Sequence, residues 1–101
     1  MIESLNLATF SERLNTGFRL RLGEADVIEA QLVEAVDTGS TPDQEQFSLV
    51  FRAPRGLPPA QGLYSVEHEK LGKFELFLAP VRQDKQWLYY EAVFNRLIDV
   101  E

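Results

Sequence analysis

Glu67, His68 and Glu69 form the one run in the chain that sets two carboxylates beside an imidazole. Paired carboxylates can divide acid–base work, and an imidazole can shuttle a proton or ligate a metal. The spacing argues against both. On a strand, successive side chains point to opposite faces, so Glu67 and Glu69 share a face and His68 points away from it. His68 is the single histidine and the chain has no cysteine, so the nitrogen and sulfur ligand sets of zinc sites cannot be assembled. Glu75 is expected as a cross-strand neighbour of Glu67, a pair that reads as solvated charge protecting a sheet edge. Serines 4, 11, 40, 48 and 65 have no histidine partner other than His68. No Gly-x-Ser-x-Gly elbow, phosphate loop or dinucleotide glycine fingerprint is present. The expectation is a protein that is not an enzyme, with no catalytic residue, no metal ligand and no cofactor.

Charge narrows the partners. Ten basic against sixteen acidic residues leave a net charge of -6, the wrong sign for a nucleic-acid binder. Arg19 and Arg21 form a short basic strip that reads as a wet strand edge. Arg52 and Arg55 flank a proline-rich stretch and could meet an acidic partner. No stretch approaches the ~20 apolar residues of a membrane span, and the first residues lack the pattern of a signal peptide. A cytoplasmic protein that does not touch a membrane is expected.

The elements that must position these residues are mostly strands. With 101 residues, 45% of them hydrophobic, the chain has the size and balance of one globular domain covering residues 1–101. Leu7, Phe10 and Leu14 recur at helical spacing, giving a short helix of about two turns. A Thr9/Glu12 capping box is expected at its start, and Asn15-Thr16-Gly17 at its end. From Phe18 the period changes to two. Phe18, Leu20 and Leu22 alternate with arginines, and Ile28 to Val36 form a longer strand. That strand changes register near Val33 and Glu34, where a bulge fits. Asp37 to Glu45 reads as a mobile polar loop, Phe47 to Arg52 as a third strand, and Pro54 to Gly62 as a loop that three prolines keep out of any ladder.

Tyr64 to Val81 reads as a hairpin turning at Lys70-Leu71-Gly72, with Val66 facing Leu76 and Tyr64 facing Leu78. A last strand runs from Gln86 to Leu97. Six strand-like segments with turns between them predict an all-β fold, an antiparallel barrel or sandwich with one short N-terminal helix.

The last two strands are apolar on both faces. Phe74, Leu76, Leu78, Leu88, Tyr90, Ala92 and Phe94 point inward. Phe77, Val81, Trp87, Tyr89 and Val93 fall on the face that should be wet. Aromatic side chains bury roughly 150–250 Å² each, so this patch is large for a monomer. Either the N-terminal helix or the proline-rich loop covers it, or another protein or a second copy of the chain does. The function expected is a non-enzymatic interaction or assembly module docking through Phe77, Val81, Trp87, Tyr89 and Val93. The alternative is a small barrel holding an apolar ligand beneath the Asp37–Glu45 and Pro54–Gly62 loops.

Between Phe47 and Asn95 several segments occur in a specific order. They are Phe47-Ser48-Leu49-Val50-Phe51-Arg52, Gln61-Gly62-Leu63-Tyr64, Glu67-His68, Leu71-Gly72, Leu76-Phe77-Leu78-Ala79-Pro80-Val81 and Tyr90-Glu91-Ala92-Val93-Phe94-Asn95. Together they resemble a family of small bacterial domains of unknown function and similar length. The likeness extends more weakly over Leu7 to Leu22, and Pro58-Pro59-Ala60 departs from the family's tighter loop. The resemblance carries no catalytic residues. It implies an accessory or assembly role beside phage-tail-like collar or fibre proteins, and with it a domain that could leave the cytoplasm inside an exported tail-like assembly.

Overall fold

The computed structural model describes residues 5–55 and 59–97. Helix α1 (Leu7–Ser11) precedes strands β1 (Gly17–Leu22), β2 (Ile28–Asp37), β3 (Gln44–Pro54), β4 (Gly62–His68), β5 (Gly72–Gln83) and β6 (Trp87–Leu97). Every pairing is antiparallel, and the order β1-β2-β3-β6-β5-β4 closes on itself through β1 and β4. The fold is therefore a closed six-stranded antiparallel barrel with one short helix.

Period-two alternation builds the wall and fills the lumen. Phe18, Leu20, Leu32, Phe47, Leu49, Phe51, Val66 and Leu78 are at most 1% exposed. Phe18 meets Phe51 edge-on with centroids 5.2 Å apart, and Tyr64 meets Tyr90 in the same way at 5.7 Å. In a barrel of this size such side chains occupy the interior themselves. The expected bulge is present, as the β2–β3 register shifts between Leu32 and Glu34.

The helix plugs one end. β5 and β6 pair only between Ala79–Gln83 and Leu88–Glu91, so they part toward that end. Phe10 fills the gap, with its ring 5.9 Å from Phe74 on β5, 5.7 Å from Phe94 on β6 and 6.3 Å from Phe47 on β3. Phe47 and Phe94 stack beneath it at 4.3 Å. Beside this stack Arg96 bonds Glu45 at 2.9 Å and donates to the Leu5 carbonyl at 2.6 Å, tying the entry to the helix onto β3 and β6.

Several local expectations are corrected. The helix is shorter than two turns, and its N-cap is Asn6, whose Oδ1 accepts from the Thr9 amide at 2.9 Å. Asparagine one helical turn upstream does what Thr9 was expected to do. The left-handed residue after the helix is Asn15, at φ 66°, and not Gly17. The Asp37–Glu45 segment is a tied hairpin end rather than a mobile loop. Asp37 Oδ1 accepts from the Gly39 and Ser40 amides, and Thr38 N donates to Gln46 O at 2.9 Å. That segment and the Pro54–Gly62 loop lie at opposite ends of the 11-residue strand β3, so no single site sits beneath both. Residues 56–58 of the second loop fall outside the described residues.

The β4–β5 register differs from expectation by two residues. Val66 faces Phe74, Tyr64 faces Leu76 and His68 faces Gly72, so the turn is Glu69-Lys70-Leu71. Gly72 takes the left-handed conformation, φ 84°, as expected. What moves the turn is His68. Its Nδ1 accepts from the amides of Lys70 at 2.9 Å and Leu71 at 3.3 Å, so the side chain itself caps the reversal.

Candidate docking face and the histidine turn

The corrected register takes apart the proposed carboxylate pair. Glu67 faces Lys73 and Glu75 faces Ser65. Glu67 also lies 3.7 Å from Arg19, which reaches Glu29 on its other side at 3.6 Å. Barrel closure through β1 and β4 leaves no strand edge there, so neither this acidic set nor the Arg19–Arg21 strip protects one. These are exposed ion pairs, worth little individually.

His68 is 6% exposed, the buried polar residue of the core among the described residues. Its Nε2 lies 2.9 Å from Thr16 Oγ1, and the Thr16 hydroxyl donates to Arg13 O at 2.6 Å. The hydroxyl proton is thus spoken for, so Nε2 carries a hydrogen and donates, while Nδ1 accepts two amides. Both ring nitrogens are satisfied only in the neutral form. Burial and the nearby Arg13 guanidinium hold the His68 pKa below the usual histidine value. Phe18 packs on the ring at 4.3 Å. His68 is a structural clamp between the segment after α1 and the β4–β5 turn.

On the outer wall, Phe77, Val81 and Val93 are 57%, 47% and 68% exposed. Leu63, 55% exposed, faces Phe77 across the β4–β5 ladder and extends the apolar surface. Sequence periodicity alone missed Leu63, although its position between Gly62 and the buried Tyr64 marks it as outward. The helix does not cover this surface, because Phe10 turns into the barrel end.

Trp87 and Tyr89 stand on the same wall but are half-buried. The Arg52 guanidinium lies 4.3 Å over the Trp87 ring and that of Arg82 4.3 Å over Tyr89. The cross-strand register produces the first stack, since Pro54 pairs with Trp87 and Arg52 with Tyr89, leaving Arg52 and Trp87 diagonal neighbours. At the strand entry Asp84 Oδ1 accepts from the amides of Gln86 and Trp87 at 2.9 and 2.7 Å. These bonds lower the Asp84 pKa. They also fix where Trp87 begins. The face is therefore an exposed apolar strip along β4, β5 and β6, bordered by two arginine–aromatic stacks. Among the described residues no group of three or more His, Cys, Asp or Glu side chains could hold a metal, and no helix is long and apolar enough to cross a membrane.

Fold and site together define a small closed antiparallel β-barrel with a lumen packed by its own side chains and its unpartnered apolar surface on the outer wall. The chain belongs to the family described as a domain of unknown function, DUF6916, whose model matches residues 5–94. Comparison with curated proteins and with solved structures gives no match.

Proposed function

We propose that this domain is a non-enzymatic docking module whose outer β5–β6 wall engages a protein partner. The observation that carries the reading is the exposure of Phe77 and Val93, more than half of each, on neighbouring strands of a barrel whose helix is committed elsewhere. Fully burying a Val- or Phe-sized side chain stabilises by about 1.5–3 kcal/mol, so covering Leu63, Phe77, Val81 and Val93 supplies a useful share of an association energy. The adjoining Trp87, Tyr89 and arginines are the types that dominate binding energy at interface centres. The partner class taken from the family resemblance is a phage-tail-like collar or fibre protein, met in the cytoplasm before assembly.

The test is Phe77→Asp combined with Val93→Asp. Both side chains are exposed, so circular dichroism and the urea midpoint should match the unmodified protein. The tagged protein from its own host should retain a defined partner that the double variant loses. Retention of the same partner by both overturns the reading. Sedimentation showing a wild-type dimer and a monomeric variant would replace the separate partner with a second copy.

A further inference from the structure

Arg52 and Arg82 make the same contact with an aromatic ring but differ in one respect. Arg82 is neutralised within the chain, with Nη2 lying 3.1 Å from Glu34 Oε2. Arg52 has no carboxylate within 4 Å among the described residues. Among the described residues its guanidinium makes one hydrogen bond, from Nη2 to the Gln31 amide oxygen at 2.7 Å, and its Nε is buried without a partner. The guanidinium is held at two points, over the Trp87 ring and at the Gln31 amide oxygen. A side chain so held has already lost much of the rotamer freedom that binding would otherwise cost.

We infer that Arg52, stacked on Trp87 and steadied by Gln31, is a receptor for a carboxylate of the docking partner, an inference that rests on the docking reading above. With Nε buried, the N–H donors that make no bond among the described residues are those of Nη1 and the second hydrogen of Nη2. Charge-assisted bonds from such groups are what a carboxylate accepts from arginine. Neighbouring charged groups leave Arg52 without an ion pair among the described residues. Glu34 is occupied by Arg82, and Arg55 Nη1 donates to the Asp84 carbonyl at 3.1 Å. Glu91 lies diagonal to Arg52 in the β3–β6 register and makes no ion pair with it. On a chain of net charge -6 an acidic segment gains nothing from the overall field. Recognition must therefore come from this local cation, with the apolar strip beside it supplying contact area. The partner segment that fits is one alternating aliphatic and acidic residues.

Two fluorescein-labelled peptides test this, capped Leu-Glu-Leu-Glu and capped Leu-Gln-Leu-Gln, titrated into the whole protein and followed by anisotropy. The glutamate peptide should bind about tenfold more tightly than the glutamine peptide, a difference of about 1.4 kcal/mol. The preference should vanish in Arg52→Gln and persist in Arg82→Gln. Equal binding of the two peptides, an undiminished preference in Arg52→Gln, or no saturable binding of either overturns the inference. Phe77→Ala with Val93→Ala keeps the two readings apart. If that variant binds both peptides as the unmodified protein does, the docking wall fails while the Arg52 receptor stands. If it weakens both peptides and Arg52→Gln changes neither, the wall stands and the receptor fails.

Discussion

Protonating His68 should loosen the fold as pH falls below the ordinary histidine value. In the folded protein Nδ1 accepts two amides and Nε2–H donates to Thr16, so a second ring proton has no site unless the β4–β5 turn opens. Burial, with Arg13 adding repulsion, depresses the folded-state pKa below its ordinary value of 6.5. Unfolded His68 therefore takes up a proton that folded His68 refuses. The stabilisation is fully present above the unfolded value and is lost as pH falls through the folded one. Between those two values the unfolding free energy should drop by about 1.4 kcal/mol per pH unit. With a urea m-value of about 1–3 kcal/mol/M, one unit moves the midpoint by roughly 0.5–1.4 M. His68 is the single histidine. The Asp37 and Asp84 carboxylates are held below 3.8, outside this range. Urea melts followed by Trp87 emission between about pH 5 and 7.5 read the slope directly, with His68→Gln as the control that should flatten it. A midpoint that stays level on acidification, or an equal slope in His68→Gln, would refute the assigned tautomer and its clamp.

Phe10→Ala removes the ring that bridges parted strands β5 and β6 and should cost about 3–5 kcal/mol, measured by urea denaturation. Tyr64, whose hydroxyl donates to Ala60 O and whose pKa burial pushes up to about 12, should contribute an ionisation step near that pH in an alkaline absorbance titration, lost in Tyr64→Phe. Gly72→Ala forces a side chain onto a backbone at φ 84° and should destabilise by roughly 1–2 kcal/mol, although nothing lies within 4 Å of the added methyl.

Much of this architecture is legible in the sequence because a half-buried strand writes its face into alternate residues. The inward set of β5 and β6, from Leu76 to Ala92, and the bulge near Val33 follow from that rule alone. The same rule explains the error at the β4–β5 turn. Alternation repeats every two residues, so a slip of two leaves every apolar residue on its face, and only the His68 cap distinguishes the registers. Closure was equally hidden, since β1 meets β4 across more than forty residues of sequence and no local pattern encodes that pairing. At the candidate face, the outward positions of Phe77, Val81 and Val93 were readable. The partial cover of Trp87 and Tyr89 was not, because it depends on diagonal neighbours from β3 and on the reach of long arginine side chains.

On the proposed function, the β5–β6 wall meets another protein in the cell. A photo-crosslinking amino acid placed at position 77, with the same residue at position 29 on exposed Glu29 of β2 as the control, tests it most directly in the native host. Irradiation should give one dominant protein adduct from position 77 and none from position 29. Equal labelling from both positions, or no protein adduct at position 77, would mean that this wall docks no partner.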